Sequence, residues 1–319
     1  MKKYMGNTMQ IRGVEEHRLC GGKGDGMRLF EVRNGLGLEF TVSADRCADI
    51  SRLSYKGINF GYFAPCGYVA PSYYDPVGAG FLKSFTAGFF TTCGLTAVGS
   101  PCVDDGEELP LHGSISNTPA ESIGYSEDDD YIYIKATIRD AALFAHKLLL
   151  QRDYKISLSE NTVELCDTIT NIGSEKTPFM MLYHCNMGYP LLCEDTTVFI
   201  DADMPKPRND HAAEGVSDCL KMEKPQKGFE EQCYYYDMKT GHAGVFNEKL
   251  GVGLSLKYDK KELPCFTEWK MMGEHEYVLG LEPGNCTPDG RDVLRRENRL
   301  KFLEAGEKAV HHIKFEIKD

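Results

Sequence analysis

The sequence predicts an all-β chain, folded as a large antiparallel β-sandwich. Three observations predict it. Short apolar runs with a two-residue period recur along the chain, separated by clusters of Gly, Pro, Asn and Asp, the pattern of successive half-buried strands. Helical periodicity is scarce. The runs number about a dozen, too many for one small sheet, so two packed sheets are expected.

In order along the chain, Arg28 to Arg33 and Leu38 to Val42 form the first expected pair, joined by Asn34-Gly35, a favoured hairpin turn. Tyr131 to Ile138 follows the acidic turn 127–130 and alternates Ile132, Ile134 and Ala136 with Tyr133, Lys135 and Thr137. Further strands are expected at Lys147 to Ser157, Thr162 to Thr170, Pro178 to Cys185, Thr197 to Asp201, Gly244 to Asn247, Gly251 to Tyr258, Cys265 to Met271, Tyr277 to Leu281 and Ala309 to Ile317. Met204 to Gln232, rich in Pro, Lys and Glu, reads as a surface loop or flap, a common place for substrate contacts. Asp289 to Asn298 reads as one or two helical turns capped by Asp289, with Val293 and Leu294 inward and Arg291, Arg295 and Arg296 outward.

A length of 319 residues permits two domains, but β-sandwiches run to about 250 residues or more as one unit. Neither a linker nor a repeat divides the chain, so one domain over 1–319 is expected. Lys plus Arg total 36 against 48 Asp plus Glu, a formal charge of −12, which leaves no broad positive field for nucleic acid. The most apolar stretch, Gly78 to Gly99, is interrupted by Lys83 and several Gly and Thr, which argues against a membrane span. Two lysines near the start are not followed by an apolar segment, so the expected compartment is the cytoplasm. The twelve cysteines include no Cys-x-x-Cys pair and read as free, mostly buried thiols.

Gly21 to Gly26 is glycine-rich but lacks the phosphate-loop spacings; Gly-x-Ser-x-Gly and His-Glu-x-x-His are absent. Three segments carry polar groups in specific apolar or turn-rich surroundings. They are Leu109 to Ala120 with His112-Gly113, Pro178 to Pro190 with His184 and Asn186, and Leu279 to Asn285 with Glu282 before Pro283-Gly284. Singly, each is as well explained by a turn or a satisfied core side chain. Together, two histidines and a carboxylate at strand ends suffice for acid and base chemistry on a neutral polyol.

With Ser43 to Ile50, Phe81 to Leu95 and Glu268-Trp269-Lys270, these segments span roughly residues 30 to 290, and the chain resembles the aldose 1-epimerase (galactose mutarotase) superfamily, closest to an uncharacterised bacterial branch. The order His-Gly, second His, then Glu near the C-terminus matches that superfamily. The resemblance implies a mutarotase-like supersandwich with a carbohydrate cleft on one concave sheet. It implies Glu282 as the base that takes the anomeric hydroxyl proton, His184 as the acid that protonates the ring oxygen, and His112 as a residue that orients the sugar. Ordinary values of about 4.3 for Glu and about 6.5 for His agree with those roles at pH 7. Neither a cofactor nor a metal is called for.

Trp269 would offer an apolar face to a sugar ring, and its neighbour Lys270 points the other way on a regular strand, so one of the two at most faces the cleft. Arg46 and Asp49 bind substrate or form an internal ion pair; Asn186, Arg208 and Asp210 are further candidates for substrate contact. The sequence departs from the better-known mutarotases in having no Asn-Arg pair before His112 and no Gly-rich continuation after Gly113. Substrate identity therefore does not carry over. The leading reading is an isomerase interconverting the anomers of a free sugar. A second is a metal-assisted isomerase, epimerase or lyase of keto-sugars, with His112 and His184 joined by Glu121, His211 or Glu282 as ligands. A third is a non-catalytic carbohydrate-binding protein. An exposed sheet edge would let two copies pair, leaving a homodimer open.

Overall fold

Strict alternation over eleven residues seeds the largest sheet. In Tyr131–Ala141 the buried positions are Ile132, Ile134, Ala136, Ile138 and Asp140; in Lys147–Ser157 they include Leu148, Leu150, Arg152, Tyr154 and Ile156. The computed structural model, which describes residues 2–319, extends this pair into an eight-stranded antiparallel sheet. Its order is Ser122–Glu127, Tyr131–Ala141, Lys147–Ser157, Thr162–Asn171, Lys308–Lys318, Val252–Tyr258, Met238–Asn247 and Thr196–Ala202.

A second large sheet runs Lys206–Pro207, Gln232–Tyr236, Cys265–Met272, Tyr277–Gly284, Thr177–Met187 and Lys301–Leu303, with Phe90–Leu95 also paired to Thr177–Met187. A five-stranded meander, Gly13–Arg18, Arg28–Arg33, Leu38–Ser43, Asp49–Tyr55 and Ile58–Asn59, forms the third. Side chains from all three sheets share one hydrophobic core, so the predicted antiparallel sandwich is the observed architecture.

Thr177–Met187 is buried on both faces. Met181, Tyr183, Cys185 and Met187 enter the main core, whereas Met180 and Leu182 join a smaller cluster with Val98, Cys286 and Leu294 on the opposite face. His184 belongs to that opposite face by alternation.

The main core encloses the guanidinium of Arg152. Arg152 has a side chain 0% exposed, and all five of its N–H groups are used. Nε and Nη2 donate to the two Asp167 oxygens at 2.9 and 2.6 Å. Nη1 donates to Asp49 Oδ1 at 2.5 Å and to the Cys47 carbonyl at 2.9 Å, and Nη2 also donates to Thr92 Oγ1 at 2.8 Å. Thr92 in turn donates its backbone N–H and its hydroxyl to Asp49, and the Tyr183 hydroxyl donates to Asp167. One guanidinium thus ties all three sheets together.

Several local expectations are corrected. The Arg28–Arg33 and Leu38–Ser43 strands are joined by a four-residue loop, with Gly35 and Gly37 at positive φ and Asn34 Oδ1 accepting from Leu36 and Leu38 N–H. The late helix is Arg291–Arg296, capped by Gly290 without a side-chain bond. Asp289 accepts instead from Tyr235 and Thr287 hydroxyls. Leu294 is buried as expected, but Arg291 turns inward and pairs with Asp104 and Glu107, each at 2.6 Å. The 204–232 segment holds only short elements, Lys206–Pro207 and the helix Asp210–Glu214 among them, and is anchored by buried Ala212 and Met222. All twelve cysteines are free, and no helix among the described residues is long and apolar enough to cross a membrane.

Replacing Arg152 with Leu leaves Asp49 and Asp167 buried without their cation, and denaturant unfolding is expected to show a loss of about 3–5 kcal/mol. A loss within experimental error would show that the guanidinium is not a structural tie.

Candidate functional site

The strands Gln232–Tyr236, Cys265–Met272, Tyr277–Gly284 and Thr177–Met187 lie side by side, and their register decides which side chains meet. Cys233 opposes Trp269, Trp269 opposes Gly280, Thr267 opposes Glu282, and Asn186 opposes Gly280. Directly opposed residues project from the same face, so Cys233, Thr267, Trp269, Glu282 and His184 form one floor. Above it is a cavity of about 260 Å³, with walls from Phe81, Leu82, Phe85, Ser100, Leu111, His112, Arg208, Glu231 and Pro288. Its size and mixed lining are those of a small-molecule site.

His184 Nε2 and Glu282 Oε1 are 3.2 Å apart at the base of this cavity, with side chains 6% and 2% exposed. Gly280 permits the approach, because a Cβ there would overlap Glu282 Oε1. The other imidazole nitrogen, Nδ1, donates to Asn186 Oδ1 at 2.6 Å, and the Asn186 amide is held by its donation to the His184 carbonyl at 2.8 Å. That arrangement places the proton of neutral His184 on Nδ1 and turns the Nε2 lone pair toward Glu282.

Burial changes the protonation expected from ordinary values. It pushes the Glu282 carboxyl well above the usual range, reinforced by Glu231 and opposed by Arg208, and it lowers His184 to about 4. The empty site therefore favours a protonated Glu282 beside a neutral His184, one proton held by the pair, rather than a free carboxylate.

His112 enters from the loop wall with φ 59°, in the left-handed region. Its N–H donates to the Gly99 carbonyl at 2.9 Å, and its carbonyl accepts from Gly94 N–H at 3.1 Å. Gly113 follows at φ 73°, where a Cβ would overlap the Gly94 carbonyl. The His112 ring lies 5.6 Å from that of His184, edge to face, and burial lowers its pKa to about 3. Among the described residues, two buried side-chain atoms of this cavity, His112 Nδ1 and Thr267 Oγ1, lack a hydrogen-bond partner, and Glu282 Oε1 faces only His184 Nε2. Each unpartnered atom costs about 1–3 kcal/mol, so the two together mark a place built for a polar ligand.

The aromatic wall is held in place. Trp269 Nε1 donates to Glu231 Oε2 at 2.7 Å, and its ring meets His184 at 5.1 Å. Phe81 packs on His112 and Phe85 on His184, both at 5.3 Å. Among the described residues Arg208 is the one cation lining the cavity; its Nη2 donates to Ser100 Oγ at 3.0 Å.

Other expected contacts are corrected. Lys270 points away from the cleft, buried with Nζ donating to the Asp218 carbonyl. Asn186 touches His184 and backbone, not the open cavity. Asp210 is exposed in the first turn of its short helix. Arg46 and Asp49 do not pair with each other. Asp49 is taken by Arg152 and Thr92, and Arg46 donates to the carbonyls of Ser116, Val69 and Ser84. Arg46 thereby clamps both ends of the segment that carries Phe81. Glu121 is bound to Arg139, and His211 lies against the Glu230 carbonyl, so neither joins His112 and His184 in a ligand set. Glu231, Thr267, Ser100, Phe81 and Phe85 were not expected as site residues. Only the alternation that places Thr267 and Trp269 on one face would have suggested any of them.

Comparison with solved structures shows the fold of aldose 1-epimerase and galactose mutarotase-like proteins. A Klebsiella pneumoniae protein provisionally assigned as an aldose 1-epimerase superposes with a TM-score of 0.91 at 25% identity, covering 98% of this chain and 86% of its own. A galactose mutarotase-like protein of Clostridium acetobutylicum gives 0.69 at 12% identity, covering 97% and 99%. Galactose 1-epimerase of Lactobacillus acidophilus gives 0.65 at 14% identity, covering 96% and 99%. No curated protein matches the sequence. One family model does, a domain of unknown function designated DUF4432, over residues 24–317.

The two site histidines are expected to stay neutral from pH 8 down to pH 5, since their pKa values lie near 4 and 3. Proton NMR of the ring C–H resonances checks this. Titration of either ring near the ordinary value of about 6.5 would contradict the buried geometry.

Proposed function

The chain belongs to the DUF4432 family, whose name carries no activity, and from the geometry of its cavity we propose that it is a mutarotase that interconverts the α and β anomers of a free sugar. The observation that carries this reading is the His184–Glu282 contact, an acid and a base that share one proton beside orphaned polar atoms in a cavity of monosaccharide scale. The fold it shares with aldose 1-epimerases supports the same reading.

A sugar whose anomeric hydroxyl meets Glu282 and whose ring oxygen meets His184 supplies hydrogen bonds that the empty cavity lacks. The shared proton passes to His184 Nε2, leaving a carboxylate facing O1–H. Glu282 then takes the O1 proton as His184 gives its proton to the ring oxygen, the C1–O5 bond breaks, and a carbonyl forms at C1. Rotation about C1–C2 presents the other face, and the reverse transfers close the ring as the opposite anomer. Asn186 fixes the imidazole tautomer throughout, so it is a positioning residue. His112, Thr267 and Arg208 would contact the remaining hydroxyls, and Trp269 the apolar ring face.

Exchange between anomers of free aldoses and uronates, followed by proton NMR, tests the reading. Acceleration is expected for at least one sugar, with a loss of about 10²–10⁴-fold in Glu282→Gln and in His184→Asn. Acceleration on no sugar, or acceleration unchanged in both variants, would overturn it. The pH profile follows from the pair needing one proton. The catalysed rate should hold level through neutrality, fall near pH 4 as His184 gains a second proton, and fall on the alkaline side as Glu282 loses the shared one.

A further inference from the structure

A second depression adjoins the cavity. It measures about 480 Å³ and is bounded by Tyr62, Pro65, Cys66, Met271 and Glu276 on its far side. Leu82, Phe85, Glu231 and Trp269 line both spaces, so the groove and the cavity are continuous around the indole. Nothing in the reaction described above uses this groove.

We propose that the sugar turned over in the cavity is the reducing end of a longer neutral saccharide, whose second ring lies in the groove between Tyr62 and Met271. The inference rests on the mutarotase reading in one respect. Ring opening requires a free anomeric hydroxyl, so a neighbouring sugar must be joined through another hydroxyl and extend away from His184 and Glu282.

The groove has the chemistry for such a ring. Its aromatic and aliphatic surfaces, Tyr62, Phe85, Trp269 and Met271, suit the C–H faces of a pyranose, while Glu231 and Glu276 at its edges are acceptors for hydroxyls. Among the described residues no Lys or Arg lines it, so two carboxylates repel a phosphate or an acid there. The platform is also preorganised. The Tyr62 hydroxyl donates to the His275 carbonyl at 3.1 Å, and Glu231 holds the indole from the other side. Binding a rigid ring then needs little reordering of these side chains.

Trp269 is the only tryptophan in the chain, so its fluorescence reports occupancy of either space without requiring turnover. The full-length protein, wild type and Glu282→Gln, would be titrated with glucose and galactose and with maltose, cellobiose and lactose. At least one disaccharide is expected to bind about tenfold more tightly than its component monosaccharides. Tyr62→Ala, which empties the platform, and Met271→Phe, which crowds the groove without adding a second tryptophan, should each remove that advantage while monosaccharide anomer exchange stays within about twofold. Equal affinity for monosaccharides and all three disaccharides, or a disaccharide preference untouched by both variants, would overturn the proposal. Disaccharide preference without any anomer exchange would leave the groove standing and overturn the mutarotase reading instead; exchange without preference would do the reverse.

Discussion

The guanidinium of Arg152 is the constraint on which the rest of the structure depends. It is fully buried in a row of apolar side chains, where an unpaired charge would be untenable, so its partners must come to it. They come from distant parts of the chain. Asp167 arrives across the adjacent strand, Asp49 from the five-stranded meander, and Thr92 from the strand beside Thr177–Met187. Tyr183 also bonds Asp167, which fixes the rotation of its own strand. The next residue is His184. With Tyr183 bound on one face, the imidazole must stand on the other, over the cavity. Positioning of the site is thus a consequence of satisfying one buried cation.

The same burial sets the chemistry. In water, a glutamate and a histidine at neutral pH would be a free carboxylate and a partly protonated ring. Here both are driven toward their neutral forms, and a 3.2 Å separation makes them a pair holding one proton. Such a pair can give and accept in either direction, as the interconversion of two anomers requires, since each direction retraces the other. Gly280, Gly113 and Asn186 shape the surroundings of the pair. Gly280 leaves room for the carboxylate, Gly113 lets the His112 loop approach the Gly94 carbonyl, and Asn186 holds the ring's tautomer. None of these residues needs to touch a sugar.

Much of the fold was legible in the sequence, and the reason is visible in Tyr131–Ala141 and Lys147–Ser157. Each has one face in the core, so alternation survives in the residue pattern. Phe90–Leu95 is buried at every position, which erases alternation, and Ser122–Glu127 is an edge strand mostly in solvent, which erases the apolar face. Neither was predicted. At the site, His112, His184 and Glu282 were identified by resemblance and by their place at strand ends, and the structure brings them together. Arg46 and Asp49 were read either as substrate contacts or as a mutual ion pair, and each is bound to other partners instead. The true partner of Asp49 lies 103 residues away, a distance that local pattern does not register. Glu231 was likewise invisible, since its part is to hold an indole presented by another strand.

The fold alone does not determine the activity, because one fold hosts many unrelated functions and the site's own side chains decide among them. The central claim is therefore geometric: a sugar in the cavity places its anomeric hydroxyl on residue 282 and its ring oxygen on His184. The most direct measurement is a crystal structure of the Glu282→Gln protein soaked with a reducing sugar. The account predicts a ring above Thr267 and Trp269, with O1 in hydrogen-bonding reach of residue 282 and the ring oxygen facing His184 Nε2. A sugar bound with its anomeric carbon turned away from both residues, or bound elsewhere with the cavity empty, would contradict it.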